Sequence, residues 1–348
     1  RAYAAAISSL NSGATDADIR RNHGISVKLS ALHPRYEQGQ RETMLPVMAE
    51  RLFSLALAAR HARMGLNIDA EEADRLDLSL DLVEAVFADP ALDGWEGFGL
   101  AVQAYQKRAL PVVSWLEELA RRVGRRLMVR LVKGAYWDSE IKRAQERGLE
   151  GYPVFTRKAS TDVSYLACAR RLLDRRDLFY PMFATHNAHS VAYVLEAAGD
   201  RAGFEFQRLH GMGEPLYDQL VGPAMPVRVY APVGGHEDLL AYLVRRLLEN
   251  GANTSFVNRI QDERVAISEI VGDPVARVAK LAAKPHPRIP LPAGLYGAER
   301  VNSAGLDLSD PTVTGPLLAD IAAAGARPWS AAPLVGGVRG EGAARPVL

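Results

Sequence analysis

The amino-acid sequence predicts an α/β fold with a parallel sheet, and the order of its apolar segments is the main reason. Short β-branched runs alternate with longer stretches of helical period, as expected for parallel strands joined by crossover helices. The predicted strands are residues 25–29, 65–69, 97–103, 127–133, 180–186, 204–209 and 227–230. The predicted helices between them are residues 44–61, 74–87, 111–123, 160–173, 190–198 and 215–221.

Polar residues at the strand ends favour a closed barrel over an open doubly wound sheet. A barrel gathers every carboxyl end on one face, whereas an open sheet needs such residues only at its switch point. All seven predicted strands end in side chains suited to chemistry, in the order Lys28, Asp69, Gln103, Arg130 with Lys133, His186, Leu209 with His210, and Tyr230. We therefore predict a distorted (β/α)8 TIM-like barrel, with seven strands visible and the first lying upstream of residue 1.

The remaining segments predict the domain organisation. Residues 1–24 form a helical lead-in, residues 25–258 the barrel and residues 259–283 further helices. Residues 284–348 are rich in Pro, Ala and Gly and are expected to be an extended or weakly ordered linker. Because helical pattern begins at Arg1, the chain is expected to be a piece of a longer protein.

Composition excludes several classes of function. A formal net charge of +1 gives no electrostatic footprint for nucleic acid. The single cysteine excludes an internal disulfide and a cysteine-rich zinc site. There is no run of 18 apolar residues and no signal peptide pattern. We expect a cytoplasmic protein.

The sequence motifs exclude some modes of cofactor binding but leave more than one type of reaction open. No Gly-rich dinucleotide or phosphate loop follows a predicted strand, so a cofactor must be held in another way. His186 and His189 suggest a metal, but the strand ends offer only Asp69 as a well-placed carboxylate, and we predict no metal site. Lys133 or Lys28 at a strand end is also compatible with a Schiff-base barrel aldolase.

Two adjacent arginines, Arg245 and Arg246, lie in a predicted helix that begins near residue 236 and ends at Gly251. Their guanidinium groups suit a carboxylate or phosphate ligand. The alternative is a solvated ion-pair patch with Glu249, which lies one helical turn further on. Leucines at helical spacing mark the predicted buried face of this helix: Leu239, Leu240, Leu243 and Leu247.

These segments together closely resemble the proline dehydrogenase domain of the bacterial proline utilization A flavoproteins. The resemblance runs in unbroken order from about residue 25 to residue 258. It rests on ISVKLSALHPRY (25–36), NIDAEE (67–72), VQAYQKR (102–108), RLVKGAYWD (130–138), ATHNAH (184–189), FEFQRLHG (204–211), YAPVG (230–234) and YLVRRLLENGANTSF (242–256). Residues 290–297 and 302–308 resemble the same family's lead-in to an aldehyde dehydrogenase half.

The resemblance implies a distorted barrel that holds FAD noncovalently. It implies oxidation of L-proline to Δ1-pyrroline-5-carboxylate by hydride transfer to flavin N5, with reoxidation by a quinone at the membrane. The partners it implies are L-proline, that quinone and the aldehyde dehydrogenase domain of a full-length protein, and peripheral contact with the inner membrane is a further option for that protein. The family's first strand, whose acidic residue pairs with the arginine at position 245, is missing from this sequence.

The resemblance also implies residue roles. Lys28, Arg245 and Arg246 would bind the substrate carboxylate, and Tyr230, held by Asp69, would pack on the proline ring. Leu209 and Tyr136 would shape the same pocket. The residues implied for the cofactor are Gln103, Arg130, Val132, Lys133, Gly134, Trp137, Thr156, Arg157, Lys158, Thr185, His186, Asn187 and Gln207. Arg130 and Lys133 would lie on opposite faces of a regular strand, so the strand is expected to end near Val132.

Overall fold

The computed structural model describes residues 1–220, 222, 225–235, 237, 239–240, 242–244, 271–340 and 342–343. The chain divides into two compact units, Arg1–Gly305 and Leu306–Leu348. Within the described residues, no helix combines the length and apolar character that crossing a bilayer requires.

A seven-stranded parallel sheet forms the centre of the first unit. Each strand pairs with the next one along the chain. This order follows from the βα alternation, because each crossover helix returns the chain to begin a neighbouring parallel strand. The strands are β1 (Gly24–Val27), β2 (Gly65–Ile68), β3 (Phe98–Gln103), β4 (Leu127–Val132), β5 (Phe179–Ala184), β6 (Glu205–Leu209) and β7 (Val227–Tyr230).

Helices connect and surround these strands. In the first unit, the α-helices that the structure describes from end to end are α1 (Ala2–Leu10), α2 (Arg41–His61), α3 (Leu76–Phe87), α4 (Ala109–Val123), α5 (Trp137–Glu146), α6 (Lys158–Asp174), α7 (Ala188–Ala198), α8 (Glu214–Tyr217) and α9 (Pro274–Ala279). Helix α5 was not predicted, because most of its ten residues are polar and only Ile141, Ala144 and Glu140 are buried.

The sheet is curled, as two arginines demonstrate. Arg130 on β4 donates to Ser26 on β1, three strands away, and to Gln207 on β6, two strands away. In a flat sheet those strands would lie about 14 Å and about 10 Å from β4, on opposite sides of it, beyond the reach of one guanidinium. Arg228 on β7 donates to the carbonyl oxygens of Asn22 and Arg20, just before β1. Curling therefore brings the two edge strands towards each other.

Apolar packing between the sheet and its helices stabilises the curl. Phe183, Phe204, Phe206 and Tyr217 form a chain of ring contacts with centroids 5.7 to 6.1 Å apart. All four side chains are fully buried. A separate cluster of Met128, Tyr180 and Met182 comes from alternate positions on β4 and β5. The first group faces the helices, and the second faces the interior of the barrel, as strand alternation requires.

The segment after the sheet differs from the prediction of an extended tail beginning at residue 284. Residues 284–305 belong to the first unit, where Tyr152 donates to the carbonyl oxygen of Pro290 at 2.6 Å and Asn302 donates to that of Gln145. The second unit contains helix α10 (Pro311–Gly325) and a hairpin of β8 (Leu334–Val335) and β9 (Val338–Arg339). Prolines suggested a break, but Pro311 lies in the first turn, where Asp310 caps the helix.

The predicted helix near residue 236 is described only in part. Residues 237, 239–240 and 242–244 are helical. The prediction that Leu240 and Leu243 lie on the buried face is wrong, because they are 59% and 47% exposed. Leu239, also in the predicted set, is half-buried, as is Tyr242, and Leu247 lies outside the described residues. Residues 245–270 lie outside the described part of the chain.

Glu140 ties α5 to the loop after β2, and its charge state makes stability depend on pH. Burial raises the pKa of its carboxyl group, although the backbone N–H of Ala73 donates to it at 2.7 Å. An acid whose pKa is raised by folding binds more protons in the native state. The contribution of Glu140 to stability is therefore greatest at low pH and falls as pH rises from the unfolded pKa through the folded pKa.

We expect Glu140→Gln to preserve or increase the free energy of unfolding at neutral pH and to flatten this pH dependence. The amide keeps an acceptor for Ala73 without a buried charge. Glu140→Ala should instead cost about 1–3 kcal/mol, because the Ala73 N–H loses its partner. Denaturant unfolding at several pH values measures both variants. Equal destabilisation by Gln and Ala at neutral pH would contradict the assignment.

Candidate active site at the carboxyl ends of the strands

Arg130 is the centre of a polar cluster inside the barrel. It is 9% exposed and donates from three nitrogens: Nε to Gln207 Oε1 at 2.7 Å, one terminal nitrogen to Asp69 Oδ1 at 2.7 Å and the other to Ser26 Oγ at 2.8 Å. Its three partners come from three different strands or strand ends, so the guanidinium is fixed from several sides. A guanidinium carries five N–H groups, and these bonds account for three of them.

Asp69 joins Arg130 to Tyr230. The Tyr230 hydroxyl donates to Asp69 Oδ2 at 2.9 Å, and the Arg130 guanidinium lies 5.1 Å from the centre of the Tyr230 ring. Burial, followed by the charge of Asp69, raises the pKa of Tyr230. The phenol is therefore neutral at physiological pH and serves as a hydrogen-bond donor with an apolar ring face. The predicted contact between Asp69 and Tyr230 is present in the structure.

Lys28 and Tyr136 form a second pair at the same end of the sheet. Lys28 follows the last residue of β1, and Tyr136 precedes α5. The Lys28 Nζ donates to the Tyr136 hydroxyl at 3.4 Å. The backbone N–H of Lys28 donates to the Tyr3 hydroxyl at 3.0 Å, which attaches helix α1 to this strand end. The structure thus brings together two residues predicted to contact substrate.

A third cluster contains Lys133, Asp162 and Lys158. Both lysines pair with Asp162, and Lys158 does so at 2.9 Å from the first turn of α6. Burial lowers the pKa of Lys133, and the charge of Asp162 offsets part of that change. Burial alone would raise the pKa of Asp162, but the two lysines outweigh it and lower the value. Lys133 follows the last residue of β4, so the predicted strand end at Val132 is confirmed.

The N-terminus of α6 is an electropositive end of a 17-residue helix. No side chain caps it, so its first N–H groups and the positive end of the helix dipole are available to an anion. Arg157, Lys158 and Lys133 together leave two positive charges after Asp162 is counted. This combination suits a doubly negative diphosphate.

Several residues predicted to bind the cofactor hold the surrounding loops in place. Gln103 donates to the carbonyl oxygen of Glu71 at 2.7 Å, and the Trp137 indole donates to that of Phe155 at 2.8 Å. Thr156 Oγ1 accepts from the backbone N–H of His286. Arg157 Nε donates to the carbonyl oxygens of Lys284 and Pro285 at 3.0 and 3.1 Å. The segment after residue 283 therefore packs beside α6.

The ends of β5 and β6 are connected through His186. Its Nε2 accepts from the backbone N–H of Leu209 at 3.2 Å, so this nitrogen carries no proton in that contact. Thr185 Oγ1 accepts from the N–H of Asn187, and Asn187 caps α7 by accepting from Ser190. Both polar side chains thus shape the turn at the carboxyl end of β5.

Gly134 shows how closely the loop after β4 is packed. Its φ is +135°, and a Cβ placed there would lie 2.5 Å from the ring of Tyr105. A larger residue would have to move either the loop or that ring. The arginines Arg245 and Arg246 lie outside the described residues. Within the part of the chain that is described, no cluster of three or more His, Cys, Asp or Glu side chains is arranged to hold a metal ion.

Four polar residues of the site were not predicted. Ser26 and Glu205 lie two positions before Lys28 and Gln207, and Arg228 lies two positions before Tyr230. Residues two apart on a strand share a face, so alternation was a signal that could have identified all three. Asp162 lies four residues after Lys158, a helical pairing distance that gave a similar signal.

The fold and the cluster define a class of protein: an α/β barrel enzyme with its candidate active site at the carboxyl ends of the strands. Residues 1–259 match the family model described as proline dehydrogenase. The bifunctional protein PutA of Klebsiella aerogenes is 54% identical over 361 residues, covering 99% of this chain and 28% of that protein. The chain belongs to the proline dehydrogenase family.

Two further likenesses support the assignment. PutA of Rhizobium meliloti is 52% identical over 333 residues, covering 93% of this chain and 27% of that protein. A crystal structure of proline utilization A from Bradyrhizobium japonicum has a TM-score of 0.89 at 55% identity, covering 92% of this chain and 33% of that one. The predicted barrel fold is confirmed. The chain spans little more than a quarter of the length of these curated relatives.

Proposed function

We propose that this chain oxidises L-proline to Δ1-pyrroline-5-carboxylate with a noncovalently bound FAD, which a quinone at the membrane reoxidises. The observation that carries the proposal is the buried Arg130 at the mouth of the barrel, held by Asp69, Ser26 and Gln207. Its two remaining N–H groups and its positive charge suit the electron-rich edge of a reduced flavin.

Two groups of hydrogen-bond donors and cations in the structure suit two different parts of FAD. The uncapped N-terminus of α6, with Arg157, Lys158 and Lys133, suits the diphosphate. The cluster around Arg130 suits the isoalloxazine ring. We assign the loops between these places to the rest of the cofactor, with Gln103, Val132, Gly134, Trp137, Thr156, Thr185, His186, Asn187 and Gln207 as the proposed contacts. When bound, FAD supplies the oxidising power by accepting two electrons and a proton as a hydride from C5 of proline.

The protein's own side chains orient the substrate. Lys28 binds the proline carboxylate, together with Arg245 and Arg246, and a charge-assisted contact of this kind contributes about 1.5–3 kcal/mol. Tyr230 packs on the pyrrolidine ring because Asp69 holds its hydroxyl. Leu209 and Tyr136 complete the pocket. Fixing the ring in this way places the reacting C–H bond and keeps water away from it.

Cations around the site also influence the substrate's proton. Loss of hydride from C5 needs the ring nitrogen to be unprotonated, because its lone pair forms the new C=N bond. Arg130 and Lys28 disfavour a second positive charge on a nearby amine, so they lower the pKa of bound proline. Arg130 also stabilises the negative charge that develops on the cofactor.

The wider assignments follow from the same proposal. The quinone, the inner-membrane surface and an aldehyde dehydrogenase domain that consumes the product are the proposed partners of a longer protein. The proposed location is cytoplasmic, with peripheral contact to the membrane.

Spectroscopy tests the proposal directly. Protein incubated with FAD and freed from excess should show a bound flavin spectrum, and anaerobic L-proline should bleach it. D-proline at the same concentration is the control, because its carboxylate projects from the other face of the ring, so binding of the carboxylate would turn the wrong face of C5 toward the flavin. Protein that takes up no flavin, or bound flavin that proline never bleaches, would overturn the proposal.

A lysine of lowered pKa is also what a Schiff-base aldolase requires, and Lys133 has this property. Borohydride separates the two mechanisms. We expect no increase in protein mass after reduction in the presence of pyruvate or another small carbonyl compound. A stable adduct on Lys133 or Lys28 would favour the aldolase.

A further inference from the structure

A continuous chain of charge-assisted hydrogen bonds runs from Arg130 into the barrel interior. Arg130 Nε donates to Gln207 Oε1, and Gln207 Nε2 donates to Glu205 Oε1, both at 2.7 Å. Glu205 in turn accepts from Arg228 Nε at 2.7 Å and from a terminal nitrogen of Arg228 at 2.9 Å. Glu205 is 1% exposed. No role described above for the site uses this carboxylate.

Glu205 determines the orientation of the Gln207 side-chain amide. An ionised carboxylate only accepts hydrogen bonds, so it fixes the NH₂ end of the Gln207 amide on its own side. The amide oxygen then points at Arg130 Nε. Met182 Sδ, 3.1 Å from Gln207 Nε2, adds a second weak acceptor on the NH₂ side. A neutral residue at position 205 would permit the amide to turn, which would place its NH₂ group against the guanidinium.

Arg228 anchors the Glu205 carboxylate through two hydrogen bonds. Burial alone would lower the pKa of Arg228, but the adjacent Glu205 outweighs burial and raises it. Arg228 also donates to the carbonyl oxygens of Asn22 and Arg20. Glu205 is therefore attached to the edge of the sheet at which β7 approaches β1. The Tyr180 hydroxyl donates to its other oxygen at 3.3 Å.

We propose that Glu205 is a positioning residue that acts through the Gln207 amide to aim Arg130 at the flavin. The proposal rests on the proposed function, because it assigns Arg130 to that cofactor. Glu205 itself touches neither cofactor nor substrate. Its own negative charge opposes flavin reduction, whereas its effect on Arg130 favours it, so the two effects have opposite signs and an experiment can separate them.

The test uses sulfite, which adds to flavin N5 and binds more tightly where the site stabilises negative charge on the ring. FAD-loaded parent, Glu205→Gln, Arg130→Met and the double variant are titrated with sulfite. With Arg130 present, Glu205→Gln should weaken sulfite binding about tenfold, which corresponds to about 1.4 kcal/mol. With Met at position 130, the same change should leave binding unchanged or make it tighter, because only the charge effect remains.

Two further variants test whether Glu205 acts through the Gln207 amide. Gln207→Met removes the connecting amide but keeps the pair of Glu205 and Arg228, and it should weaken sulfite binding as Glu205→Gln does. Tyr180→Phe is the matched control, because it removes a hydrogen bond to Glu205 without affecting Gln207, and should leave sulfite binding unchanged. An equal effect of Glu205→Gln in both backgrounds, or no effect of Gln207→Met, would overturn the inference.

The outcome is distinguishable from failure of the proposed function. A parent protein that binds no FAD contradicts the function itself. The parent, the two single variants and the double variant can then still be compared without FAD. Glu205 and Arg130 are joined only through Gln207, so any coupling between them must pass through that amide. Non-additive losses in the free energy of unfolding support coupling through Gln207, and strictly additive losses refute it.

Discussion

Replacing Arg130 by methionine should reduce the rate of flavin reduction by proline by about 100- to 1000-fold, the loss typical of removing one preorganised donor at a developing charge. Methionine keeps much of the apolar length but removes the contacts to Asp69, Ser26 and Gln207. Rapid-mixing measurement of anaerobic flavin bleaching gives this rate. The flavin should also become harder to reduce, because the cation assigned to its isoalloxazine ring is lost.

Arg126→Met is the matched control. Arg126 lies immediately before β4, at the opposite end from the site, where it donates to the carbonyl oxygen of Phe179 at 3.0 Å. Its loss removes the same charge and a comparable hydrogen bond at a distance from the barrel mouth. We expect the bleaching rate to stay within about threefold of the parent rate. Similar rate losses in both variants would mean that Arg130 serves the fold instead of the reaction.

Replacing Asp69 by asparagine should lower kcat/KM for proline by about 10- to 100-fold, because one of its two charge-assisted contacts is lost and such a contact contributes about 1.5–3 kcal/mol. Asp69 accepts from both Arg130 and Tyr230. Asparagine has one acceptor oxygen and an NH₂ group, so it cannot satisfy both donors. The loss should appear mainly in KM, because Tyr230 positions the substrate ring, and FAD content should be retained.

Asp69→Asn should also change the pKa of Tyr230. Burial and the charge of Asp69 both raise the pKa of Tyr230, so Asp69→Asn should lower that pKa while burial still keeps it above the ordinary value. Absorbance titration of tyrosinate compares the two proteins. Asp77→Asn is the control, because Asp77 pairs with Arg108 on the exposed surface and such pairs contribute little. An unchanged KM in Asp69→Asn would show that Tyr230 does not depend on Asp69.

The strand ends were predictable because alternation and chain order determine which residues reach the mouth of a parallel barrel. Lys28, Asp69 and Lys133 each lie one residue beyond a strand. The ion pair of Glu205 and Arg228 was missed, since charged residues inside an apparent core strand suggest a solvated face. Their pairing depends on the register of β6 against β7, which sets Arg228 beside Gln207 and is not determined by the sequence pattern.

Helix α5 and the end of the chain illustrate a second kind of limit. Helix α5 has so few apolar residues that it resembles a polar loop in sequence, and its buried Glu140 is indistinguishable there from an exposed one. Helix α10 contains Pro316, which sequence rules treat as a breaker. Its first residue is also proline, and there the missing N–H costs nothing. Tertiary contacts of a few buried residues stabilise α5, and the Asp310 cap stabilises the start of α10. Neither effect is visible in helix propensity alone.

The measurement that tests the central claim most directly is the rate of anaerobic flavin reduction by L-proline deuterated at C5. If the barrel holds proline with C5 against the flavin, deuterium at C5 should slow bleaching severalfold, and deuterium at C2 should leave the rate unchanged. Bleaching that slows only with deuterium at C2, or that occurs equally fast with both substrates in a step limited by chemistry, would contradict this account.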